Sequence, residues 1–130
     1  MKTDIGNILI FGGTGFFGKS LINYLTTGNR FSANTIYVTT REPEKYRSTY
    51  PFNTFKNVYL IDFDLYGTEI NSELIDRHFD CIIHAAAAST DVSGLSSLNR
   101  LHQITNGTEK ILKYVKNHQS HAKFLYVSSG

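Results

Sequence analysis

The stretch whose reading decides the fold is Ile8-Leu9-Ile10-Phe11-Gly12-Gly13-Thr14-Gly15-Phe16-Phe17-Gly18-Lys19-Ser20. It opens on a continuous apolar run, as a strand buried on both faces requires. A glycine cluster follows, and then Phe17, Leu21 and Leu25 recur at helical spacing as far as Gly28. Strand, glycine turn and helix in that order make a corner suited to phosphate, because the unpaired N–H groups at a helix start attract anions. Two patterns fit it. Gly12-x-x-Gly15-x-x-Gly18 is a dinucleotide fingerprint with one extra residue between its first two glycines. Those glycines permit the tight turn, admit a pyrophosphate and let the helix pack on the strand. Gly13-x-x-x-x-Gly18-Lys19-Ser20 is instead a literal P-loop, and Val58-Tyr59-Leu60-Ile61-Asp62 offers an apolar strand ending in a metal-positioning acid. Phe16-Phe17 favour the first pattern, since small or polar residues suit a loop that wraps its backbone around phosphates.

Outward from this corner, strand-like and helix-like segments alternate. Thr35-Ile36-Tyr37-Val38-Thr39 is β-branched, Val58-Tyr59-Leu60-Ile61 and Cys81-Ile82-Ile83-His84 are apolar runs, and Phe124-Leu125-Tyr126-Val127 is a fifth strand. Pro43 and Pro51 mark residues 42–54 as a loop with at most a short helix, and the polar stretch from Glu69 to His78 reads as partly helical. Leu101, Ile104, Thr108, Ile111, Leu112 and Val115 define a long amphipathic helix, with Lys110, Lys113 and Lys116 toward its C-terminal end. Such alternation predicts an α/β fold, a Rossmann-like doubly wound parallel sheet.

The composition narrows the function classes. The chain has 130 residues, 41% hydrophobic and 18% charged, which suits one ordered domain. Residues 1–65 carry seven basic and five acidic side chains and residues 66–130 six of each, so no basic half exists to bind nucleic acid. A lone Cys81, no apolar run of membrane-spanning length and no signal-peptide core predict a cytoplasmic domain with no membrane partner. His118 and His121 lack the further ligands that zinc needs, so no metal is expected.

With these segments in this order, the sequence resembles the extended short-chain dehydrogenase/reductase family, the NAD(P)-dependent epimerases, dehydratases and reductases that act largely on nucleotide sugars. Ile10-Phe11-Gly12-Gly13-Thr14-Gly15-Phe16-Phe17-Gly18 is similar to its opening motif, with Phe11 where the family often has Thr. Asp64-Leu65 resembles its adenine-contacting pair. Asp80-Cys81-Ile82-Ile83-His84-Ala85-Ala86-Ala87 resembles its fourth strand, whose small residues border the cofactor, and Val127-Ser128-Ser129 resembles the fifth-strand end. The resemblance implies strand order 3-2-1-4-5 and cofactor contacts from Gly12, Thr14, Gly15, Phe16, Phe17, Gly18, Thr40, Arg41, Asp64, Leu65, Ala85, Ala86 and Ala87. It implies Ser129 as the catalytic hydroxyl, and it places Ser89-Thr90-Asp91 near substrate. An acid at the end of the second strand would hold the ribose 2′-hydroxyl of NAD. Here that position is Thr40, followed by Arg41, which favours NADP through a charge-assisted contact to its 2′-phosphate.

Two departures stand out. Ile104 occupies the position where the family carries Asn, three residues before the Gly-Thr pair Gly107-Thr108. No tyrosine here has Lys four positions later, although the family's catalytic pair has that spacing. Residues 1–130 are therefore expected to be an NAD(P)-binding domain truncated after the fifth strand, inactive alone, with the substrate-binding part absent. A nucleotide sugar would be the substrate of the longer enzyme, and the exposed fifth-strand edge could support a homodimer. A P-loop ATP- or GTP-binding domain and a non-catalytic dinucleotide-sensing module remain as alternatives.

Overall fold

A computed structural model describes residues 2–86 and 96–128. Ala87, Ser89-Thr90-Asp91 and Ser129 lie outside the described residues. The central strand β2 (Asn7–Phe11) is buried almost throughout, and its apolar residues have neighbours on both faces. A short β1 (Thr3–Asp4) precedes it. After the glycine corner come α1 (Phe16–Thr27), β3 (Phe31–Ser32), β4 (Thr35–Thr40), α2 (Pro43–Tyr46) and β5 (Val58–Asp62). Then follow α3 (Ser72–Asp76), β6 (Cys81–His84), α4 (Ser97–His118) and β7 (Lys123–Tyr126).

Five strands form one parallel sheet in the order β5-β4-β2-β6-β7. Counted along the chain within that sheet, this is 3-2-1-4-5. The predicted strands agree within a residue or two at each end. The two-residue strands β1 and β3, paired in parallel beside the main sheet, are additional to the prediction.

Side chains alternate across the sheet and build two cores. Ile8, Ile10, Ile36, Val38 and Ile83 meet Ile22 and Leu25 of α1, with Phe52 from the α2–β5 connection. Leu9, Phe11, Ile61 and Ile82 face the other way, toward Leu74 of α3 and Ile111 and Tyr114 of α4. The chain winds first on one face and then on the other, reversing between β2 and β6. In open α/β sheets such a reversal leaves a crevice beyond the strands' carboxyl ends.

Two predicted helix faces need correction. In α1 the buried residues are Gly18, Ile22 and Leu25, whereas Phe17 is exposed. Gly18 sets that face by lying directly against Gly13, where a Cβ would overlap the Gly13 backbone. In α4 the buried residues are Gly107, Ile111 and Tyr114, so Leu101 and Leu112 of the predicted stripe face outward. Among the described residues no helix is long and apolar enough to cross a membrane.

Candidate functional site

The crevice at the reversal is a cleft of about 670 Å³. Its floor is the end of β2 and the turn after it. Gly12 leaves the strand with φ +87°, a left-handed conformation that side chains other than hydrogen resist. A Cβ there would also stand 2.5 Å from the backbone nitrogen of Ala86. Glycine therefore lets the β2 and β6 ends close on each other. Gly15 then starts α1 with no side-chain cap, and the first turn of the helix carries no acidic residue. The positive end of the helix dipole is left for an anion in the cleft.

Gly12, Thr14, Gly15, Phe16, Phe17 and Gly18 line one side of the cleft, Thr40 and Arg41 a second, and Leu65 with Ala85 and Ala86 a third. The structure thus brings together the candidates from four separate segments. Asp64 is the exception. It faces a neighbouring depression, and its Oδ1 accepts the Tyr66 backbone N–H at 3.0 Å, closing the turn after β5. Phe16 is 90% exposed at the rim of the cleft.

Arg41 is exposed at the cleft's mouth. The acids that could have occupied it pair elsewhere, Glu42 with Lys45 at 3.4 Å and Glu44 with Arg47 at 2.9 Å. Thr40 Oγ1 accepts the Glu42 backbone N–H, so this hydroxyl shapes the turn that carries Arg41. Across the mouth sits Tyr66. Burial pushes its phenol up, while the nearby Arg41 charge pulls it down and Asp64 adds to the rise.

Phe11, Thr39, Glu42, Tyr46, Phe63 and Tyr66 also line the cleft, and sequence reasoning had not singled them out for it. Phe63 and Tyr66 flank the Asp64-Leu65 pair, and that adjacency was the available signal. Beneath the Ala85-Ala86 turn, His84 is fully buried, with Nε2 3.0 Å from Thr108 Oγ1. Its Nδ1 accepts the Ala86 N–H at 3.3 Å, and burial lowers its pKa, so the neutral ring is the form that fits. His84 is thus a packed, hydrogen-bonded residue at the end of its strand.

The two side chains that the P-loop pattern would use beside its glycines, Lys19 and Asp62, do not line the cleft. Lys19 lies with its ammonium 5.9 Å from the Tyr46 ring centroid, and it does not line the cleft. Asp62 faces the neighbouring depression from β5, which β4 separates from β2.

Residues 8–130 match the sequence profile of the NAD dependent epimerase/dehydratase family. The chain belongs to this family. Solved structures share the epimerase/dehydratase-type fold seen here. An oxidoreductase from Lactococcus lactis matches with TM-score 0.65 and 25% identity, covering 95% of this chain and 48% of that one. The ADP-L-glycero-D-manno-heptose-6-epimerase of Helicobacter pylori matches with TM-score 0.65 and 23% identity, covering 95% and 39%. The dTDP-glucose 4,6-dehydratase of Bacillus anthracis, solved with NAD, matches with TM-score 0.64 and 23% identity, covering 95% and 37%. The chain therefore spans less than half the length of each. No curated protein matches its sequence.

Proposed function

We propose that residues 1–130 are the dinucleotide-binding half of an enzyme that remodels a nucleotide sugar, with NADP as the preferred cofactor. The observation that carries this is the convergence of the glycine corner, Arg41, Leu65 and the Ala85-Ala86 turn on one cleft at the sheet's reversal. The cleft's volume falls in the range usual for cofactor sites. Gly12 makes the turn and Gly18 lets α1 close on it, so that Thr14 and Gly15, with Phe16 and Phe17 at the start of α1, hold the pyrophosphate on backbone N–H groups. Thr40 and Arg41 receive the adenosine ribose and its 2′-phosphate. Leu65 packs on adenine, with Asp64 holding the turn that presents it. Ala85 and Ala86 leave room for a flat ligand across the strand ends, and the family resemblance adds Ala87 to the cofactor contacts. When bound, the dinucleotide supplies hydride transfer at its nicotinamide ring. Ser129 hydrogen-bonds the reacting oxygen, and the acid–base pair that completes the chemistry comes from outside residues 1–130, so this chain alone gives no turnover.

Titration of NADPH and NADH into the wild type and Arg41→Ala tests the cofactor assignment. The wild type binds NADPH more tightly, and Arg41→Ala loses about tenfold or more for NADPH with little change for NADH. An unchanged preference removes Arg41 from the role. Failure of both cofactors to bind, with Mg²⁺-dependent triphosphate binding abolished by Lys19→Ala, favours the P-loop reading instead.

A further inference from the structure

The three lysines in the C-terminal half of α4 do not behave alike. Lys113 makes an exposed pair with Glu109 at 3.0 Å on its own helix, as surface lysines do. Lys110 turns toward the loop between β5 and α3. Its Nζ donates to the carbonyl oxygens of Asp64 at 2.9 Å, Gly67 at 2.6 Å and Glu69 at 3.4 Å. It also lies 4.7 Å from the Phe63 ring centroid. Three acceptors match the three protons of an ammonium, and the ring face adds a cation–π contact. One turn earlier, Gly107 brings the same helix against the same loop. A Cβ at Gly107 would stand 3.0 Å from Leu65 Cδ2 and 3.5 Å from Tyr66 Cε1. The helix thus meets the loop twice, by steric contact at Leu65 and Tyr66 and by charge at the carbonyls around them. Phe63, Leu65 and Tyr66 are the loop residues that line the cleft.

We propose that Lys110 is a positioning residue that fixes the β5–α3 loop, so that Leu65 and Tyr66 stand as a preformed wall for the base of an adenine nucleotide. The inference rests on the cofactor assignment above and adds to it a residue remote from the ligand. A loop that must be ordered on binding costs affinity, and a tether already in place removes that cost. Lysine suits the task because the loop offers only carbonyl oxygens at this point, which need a donor. Gly107 is the matching requirement on the helix, since any larger residue moves the wall.

Binding of ADP-ribose and of inorganic pyrophosphate to the same set of variants tests it, with ligand-free thermal unfolding as a check on folding. ADP-ribose uses the wall, whereas pyrophosphate uses only the glycine corner. Lys110→Met is expected to weaken ADP-ribose about tenfold and leave pyrophosphate unchanged, with recovery to within about threefold in Lys110→Arg. Lys113→Met is expected to behave as wild type. Should Lys110→Met not fold, Gly107→Ala keeps the lysine, displaces the wall and gives the same selective loss. Equal weakening of both ligands, or an equal effect from Lys113→Met, overturns the inference as general destabilisation or general charge. ADP-ribose binding that is unchanged in both Lys110→Met and Gly107→Ala overturns it alone. A wild type that binds no ADP-ribose overturns the cofactor assignment, and the inference falls with it.

Discussion

Gly12 is where conformation and packing constrain a single residue together. Its φ of +87° resists a side chain, and an added Cβ would press on the Ala86 backbone. Gly12→Ala is expected to cost roughly 2–4 kcal/mol, from left-handed backbone strain plus a clash that cannot relax into space. Chemical unfolding measures this, and a loss under about 0.5 kcal/mol, the scale of an ordinary surface change, would contradict it. His84 makes a pH prediction. Burial alone lowers its pKa, so the folded chain prefers the neutral ring. The stability it contributes is complete above its unfolded pKa of about 6.5 and is lost as pH falls toward the folded value. Protonation would set an Nδ1 proton against the Ala86 N–H it now accepts. Urea midpoints of the wild type and His84→Asn should therefore converge between about pH 7.5 and pH 5.5; parallel curves would show that His84 does not titrate on unfolding. The glycine corner was legible at this scale because its shape is written in consecutive residues. Tyr46 and Tyr66 were not, because one reaches the cleft from α2 and the other from the loop after β5, and nothing in a local window says so.

At the scale of elements, strands were easier to read than helix faces. A strand buried on both sides is an unbroken apolar run, whereas α1 carries apolar residues around much of its girth. Its buried face was settled by the Gly13–Gly18 approach, a contact between the strand's exit and the helix. The predicted stripe on α4 failed at Leu101 and Leu112 for a related reason, since the helix packs through Gly107, Ile111 and Tyr114. The strands β1 and β3 escaped notice because two residues have no period, and their pairing joins segments far apart in sequence. The C-terminal end of α4 is anchored by Gln119, which is buried. Its Oε1 accepts the Phe79 N–H at 3.2 Å, and its Nε2 donates to Arg77 O at 2.6 Å and Leu74 O at 3.3 Å. Gln119→Ala leaves the Phe79 N–H without that acceptor and the Arg77 carbonyl without that donor, at a cost of about 1–3 kcal/mol. Leu74 O keeps its bond from the Tyr114 hydroxyl, so the α3–α4 contact should survive. Denaturant unfolding that shows no loss in Gln119→Ala would mean water replaces the amide.

For the whole molecule, the fold class and strand order followed from the alternation of elements and the resemblance together. Membership in the NAD dependent epimerase/dehydratase family supports a nicotinamide cofactor, for which we propose the cleft as the seat. The sheet also divides the interior. Ile8, Ile10, Ile36 and Val38 belong to one core, whereas Leu9, Phe11 and Ile61 belong to the other. Ile22→Val and Ile111→Val, on opposite faces, should each cost about 0.5–1.5 kcal/mol and add within about 0.5 kcal/mol when combined. Ile22→Val with Ile36→Val, which share a core, should depart from additivity by more. A cross-sheet pair that couples as strongly as the same-face pair would show that the sheet transmits packing strain.

The cleft is where this division ends. Tyr46 at its edge packs with one core, and Phe11, Phe63, Leu65 and Ala86 pack with the other. A dinucleotide seated there would straddle both and couple two otherwise separate reservoirs of stability. Ligand binding should then act as a mechanical splice, raising the cooperativity of unfolding as well as its midpoint.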